Sequence, residues 1–145
     1  MNFLCKNKKY ILLAFHYSIF IVFLYSAISK SMNVELFINN LDKSPFFFNL
    51  NTKFLAFLII TIEFLIPGVL FFESTSKIGY ISSFFLLFVF TGYILMMIVF
   101  SPYLPCSCGG LIEHLSWNQH IYFNILFMCF SFILFNNADK HESSF

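Results

Sequence analysis

The chain has 145 residues, 59% of them hydrophobic and 10% charged, with a formal net charge of +1. Soluble domains carry about 25% charged residues, so this composition excludes a conventional soluble enzyme. The near-zero charge supplies neither a basic field for nucleic acid nor an acidic one for a cationic partner.

Four apolar stretches, at 10–28, 54–72, 78–100 and 117–135, reach the roughly 20 residues needed to cross about 30 Å of hydrocarbon. An open strand in lipid leaves its backbone polar groups unsatisfied, so the spans are expected to be helices. The predicted fold is therefore all-α, an integral membrane four-helix antiparallel bundle forming a single domain over 1–145. The first stretch follows Lys6, Lys8 and Lys9. Its apolar run exceeds the roughly 7–15 residues of a signal-peptide core, which predicts a retained helix. The same lysine cluster predicts cytoplasmic N- and C-termini and places segments 29–53 and 101–116 outside.

Within the first two spans, His16 falls in the inner half of one helix and Glu63 near the middle of the next. Both are costly in hydrocarbon and are expected to face the bundle interior. Their expected depths differ by roughly 4.5 Å at 1.5 Å per residue, so they can pair. Such a pair would fix helix register or, alternatively, relay a proton. Lys30, at the outer end of the first helix, is expected to snorkel toward the headgroups.

Between the first two spans, Val34, Phe37, Ile38 and Leu41 fall at i, i+3, i+4 and i+7. That spacing predicts a short amphipathic helix over 33–42, ended by Ser44-Pro45 and lying flat on the outer surface. It would cover the mouth of the bundle or dock a partner. Pro67-Gly68 is expected to kink the second span. Gly79, Ser83 and Gly92 in the third are small residues that let helices approach closely.

The segment most suggestive of chemistry is Pro105-Cys106-Ser107-Cys108-Gly109-Gly110, in the outer loop before the fourth span. A disulfide needs Cα atoms about 4.4–6.8 Å apart, which an i, i+2 pair meets only in a tight turn. Such a bond would be strained and exchangeable. The two glycines would let another protein's sulfur approach. Ser116 and Gln119 fit a capping box that starts the fourth helix. His120 then lies in the first turn, where the helix dipole favours the neutral imidazole that could serve a thiol as base. Asn124 lies one turn farther along the same face. Alternatively, His120, Asn118 and Asn124 are interfacial hydrogen-bond formers. Cys106, Cys108, His114 and His120 also form C-x-C-x5-H-x5-H, ligand types that zinc or copper accept at a spacing unlike a standard finger. Cys5 and Cys129 lie far from the outer pair in sequence and expected depth. With one outer pair, electrons would pass directly to a partner protein or to a quinone held close by.

Taken together, Pro105 to Gly110 and Leu115-Ser116-Trp117-Asn118-Gln119-His120 resemble the MauE/DoxX family of redox-associated membrane proteins. The likeness extends to Ser26-Ala27-Ile28-Ser29-Lys30, Ser44-Pro45 and Ile62-Glu63-Phe64-Leu65. It implies a four-helix protein of the bacterial cytoplasmic membrane. In methylamine utilisation, MauE is thought to help a periplasmic thioredoxin-like partner form disulfides in the methylamine dehydrogenase light subunit. By position, the resemblance implies that Cys106 and Cys108 are the redox pair and that Glu63 and His120 support them. A non-enzymatic assembly or anchoring subunit with a stapled loop, and a metal-handling membrane protein, are the competing classes.

Overall fold

In an apolar solvent the backbone must satisfy itself locally, and the chain does so as helix. The computed structural model describes residues 2–44, 51–100 and 117–142. Its elements are α1 (Asn2–Met32), α2 (Val34–Asp42), α3 (Thr52–Phe71), a single 3-10 turn (Glu73–Thr75), α4 (Ser76–Phe100) and α5 (Trp117–Glu142). No strand occurs among the described residues. Four segments are long and apolar enough to cross a membrane: Lys8–Met32, Thr52–Phe71, Glu73–Phe100 and Asn118–Ala138. The fold is the expected all-α, four-helix antiparallel membrane bundle.

Each long helix packs on two neighbours. α1 and α4 both contact α3 and α5, so α1 and α4 occupy one diagonal of a square and α3 and α5 the other. The buried residues recur in steps of three and four. They are Ile19, Phe23, Ser26 and Lys30 on α1, and Ala56, Ile60, Glu63, Pro67 and Leu70 on α3. On α4 they include Tyr80, Ser83, Leu87, Ile94 and Met97, and on α5 His120, Asn124, Phe127, Ser131 and Leu134. This seven-residue period is that of helices packed by interdigitating seams. The outward faces carry large apolar side chains, among them Phe54, Phe57, Phe85, Phe88 and Tyr122. Water would not tolerate that surface, whereas lipid requires it.

Two apolar clusters fill the interior. Ile19, Phe23, Ile66, Leu70, Tyr80, Leu87, Phe127 and Leu134 form the larger one, toward the α3–α4 hairpin. Phe37, Leu41, Ala56 and Ile60 form the smaller, between α2 and α3, with Val34 and Ile38 packed beside it. All four residues of the amphipathic stripe therefore pack against α3. Asn33, at φ −126° and ψ 47°, breaks the helix between α1 and α2. The side chain of Thr52 hydrogen-bonds Asp42, joining the end of α2 to the start of α3. There Asn51 caps α3 by accepting from the Phe54 N–H at 3.2 Å.

Pro67 lies inside α3, which continues to Phe71. Having no N–H, it leaves the Glu63 carbonyl without its usual intrahelical donor. Buried hydroxyls elsewhere bond back to their own helix, Ser83 to the Gly79 carbonyl at 2.7 Å and Ser131 to that of Phe127 at 2.9 Å. Gly79 sets the closeness of the hairpin, because a Cβ there would lie 2.5 Å from Leu70 Cδ2 and 2.7 Å from its Cγ. Gly92 faces open space. Gly79→Ala is therefore expected to lower stability by about 1–3 kcal/mol through overpacking. Gly92→Ala should be neutral or slightly stabilising. Thermal unfolding of both variants in one detergent would show the contrast.

Candidate functional site

The interior becomes polar between the two apolar clusters. Lys30 does not snorkel. It is 5% exposed, and its ammonium contacts Glu63, which is 1% exposed. Lys30 falls one turn after Ser26 on the inward seam of α1 and cannot reach the headgroups from there. The ammonium donates to Glu63 Oε1 at 2.7 Å, to Oε2 at 3.0 Å and to Ser26 Oγ at 2.6 Å. Those bonds use all three of its N–H donors. Ser26 Oγ in turn donates to Glu63 Oε1 at 3.2 Å, closing a triangle. Two aromatic rings complete the surroundings, Phe37 of α2 and Phe90 of α4, each with its centroid 5.6 Å from the Lys30 nitrogen.

The expected approach of His16 to Glu63 is replaced by two separate pairings. His16 Nδ1 lies 2.8 Å from the Tyr80 hydroxyl, with the two rings edge-on at 5.9 Å. At 1.5 Å per residue, His16 is roughly 21 Å from Lys30 along α1. Aligning the centres of two equal spans put His16 and Glu63 within roughly 4.5 Å of one depth. In the folded chain, however, α3 runs well past the end of α1, and α2 covers the projecting half. That offset brings Lys30, not His16, level with Glu63.

On α5, His120 and Asn124 are buried at 7% and 8% exposure. They lie on the same seam as Phe127, toward the α2 end of the bundle, and so extend the polar zone above the larger apolar cluster. Asn118 and Gln119 face outward. Cys106, Cys108, His114 and Ser116 lie outside the described residues. Among the described residues no three His, Cys, Asp or Glu side chains group as a metal site would need, and Cys129 carries an exposed free thiol.

Sequence reasoning missed the roles of Tyr80, Phe37 and Phe90, and of Ser26 as a bridging group. For Ser26 and Lys30 a signal existed. Counting the seam from Ile19 through Phe23 reaches both residues and predicts that they point inward. The aromatic partners had no such signal, because in a chain with 24 Phe no single one stands out.

A family model described as methylamine utilisation protein MauE matches residues 8–136. No match was found among curated proteins or among solved structures.

Removing one partner of a buried ion pair leaves the other charge uncompensated, at a cost of about 3–5 kcal/mol. Glu63→Leu or Lys30→Leu alone should therefore lose about that much stability. The double substitution Lys30→Leu with Glu63→Leu should recover most of it. Denaturant titration of the reconstituted protein, followed by helix content, gives the three values to compare.

Proposed function

The chain belongs to the MauE family of membrane proteins, and on that premise we propose that it is a membrane thiol–disulfide exchange protein. Cys106 and Cys108 are its redox couple, and a thioredoxin-like protein on the periplasmic side of the bacterial cytoplasmic membrane is its partner. The observation that carries this reading is a C-x-C pair set between a proline and two glycines, leading into a helix whose first turns bury His120 and Asn124. Buried polar side chains in a membrane helix are expensive and usually functional.

The chemistry asks little of the protein. A thiolate of one couple attacks the disulfide of the other, and a mixed disulfide forms as a sulfur leaves. The second thiolate then attacks that mixed bond and releases the partner, so two electrons and two protons have changed hands. His120 would take the proton from the attacking thiol at the helix N-terminus. Asn124, one turn behind, would serve as a polar neighbour to the ring. The lysines in the first turns of α1, ahead of its apolar span, support a cytoplasmic N-terminus and hence an outward-facing couple. A single outer couple favours direct exchange with the partner protein. A quinone near the couple is the other electron carrier the chemistry admits.

A second reading, a membrane assembly subunit whose cysteines staple a loop, draws on a different observation. Among the described residues no buried side-chain nitrogen or oxygen lacks a hydrogen-bond partner, as suits a static scaffold.

Thiol trapping in membranes across a series of redox buffers separates the two. Exchange predicts that Cys106 and Cys108 titrate reversibly and that either single Cys→Ser variant traps a mixed disulfide with a thioredoxin-like protein. His120→Ala should then slow exchange by about 10²-fold, the lower range for loss of a general base. A couple that stays oxidised throughout the series would establish the staple instead. Labelling of intact cells with an impermeant maleimide checks the side on which the pair sits.

A further inference from the structure

The surroundings of Lys30 have a chemistry of their own. Around one nitrogen stand a carboxylate from α3, a hydroxyl from α1 and the rings of Phe37 from α2 and Phe90 from α4. We propose that Glu63, Ser26, Phe37 and Phe90 form a receptor for a primary ammonium group, filled by the chain's own Lys30, and that its occupancy latches α2 onto α3. The inference does not depend on the redox reading.

The fit is to an ammonium rather than to cations in general. Three acceptor contacts at 2.6, 2.7 and 3.0 Å match the three donors of a primary ammonium. A guanidinium would bring five donors in a plane and leave some unsatisfied. Because the carboxylate is nearly inaccessible to solvent, an uncharged ligand of the same shape would leave it uncompensated.

The latch follows from how weakly α2 is held otherwise. At nine residues it is shorter than the roughly 12–15 that an isolated helix needs to persist. It joins α1 through the single non-helical residue Asn33, which makes no side-chain cap. Its place therefore depends on tertiary contacts, namely the apolar stripe on Ala56 and Ile60, the Asp42–Thr52 bond and the Phe37 ring over the ammonium. Of these, the ammonium also contacts α3 and α4, so it couples the seat of α2 to the rest of the bundle.

Ala56 is fully buried beneath α2 and serves as the reporter, whereas Asn39 is exposed on α2 itself. In membranes containing the full chain with Cys106→Ser and Cys108→Ser, Ala56→Cys and Asn39→Cys are labelled with a hydrophilic maleimide. Mass spectrometry then reads the modification at each position. Removing both charges, with Lys30→Leu and Glu63→Leu, should raise the labelling rate at position 56 about ten- to thirtyfold, the worth of a desolvated cation–π contact. The rate at position 39 should not change. With Lys30→Ala, propylammonium should restore protection at position 56, and propan-1-ol at the same concentration should not. Unchanged protection in the doubly substituted protein overturns the latch, and rescue by propan-1-ol equal to that by propylammonium overturns the receptor. Because the redox cysteines are absent throughout, neither result bears on thiol exchange.

Discussion

A charge carried into hydrocarbon must be neutralised where it stands, and the Lys30–Glu63 contact is where this protein meets that demand. The pair sets the register of α1 against α3. With Lys30 near the end of its helix and Glu63 near the middle of its own, α3 must project beyond α1. The projecting half carries Ala56 and Ile60, whose apolar surface needs a cover, and α2 supplies it. Ser26, Phe37 and Phe90 are consequences of the same placement, each drawn to one ammonium.

The interior is thus layered rather than uniformly apolar. The larger apolar cluster lies toward the α3–α4 hairpin, with the polar zone beyond it and the small α2–α3 cluster above the ion pair. The His16–Tyr80 contact forms a separate polar point near the hairpin. Lys30 and Ser26 meet Glu63, and His16 meets Tyr80, each across two helices, and these contacts bind the helices to one relative arrangement. Interhelical polar contacts act as fastenings in lipid because association there has no hydrophobic driving force.

This layering gives the two ends of the bundle different characters. The hairpin end is closed by the 3-10 turn and the tight Gly79–Leu70 approach. The α2 end gathers buried charge, the buried His120 and Asn124, and the helix termini that flank the C-x-C segment. The family match places the chain among MauE proteins.

Sequence alone determined that the chain crosses a membrane four times as helices, because span length and apolarity are local properties that backbone satisfaction in lipid turns into structure. It also determined the stripe of α2, since Val34, Phe37, Ile38 and Leu41 form one face whatever they meet. Tertiary structure decided which partners the buried polar residues take. His16 and Glu63 looked close enough in depth to pair because equal spans were aligned by their centres, and Lys30 looked free to reach the headgroups because it sits near a helix end. Depth and register are relations between helices, set by how the seams of α1 and α3 slide together until a carboxylate faces an ammonium. No residue's own neighbours in sequence encode that offset, which is why it emerged only from the packed bundle.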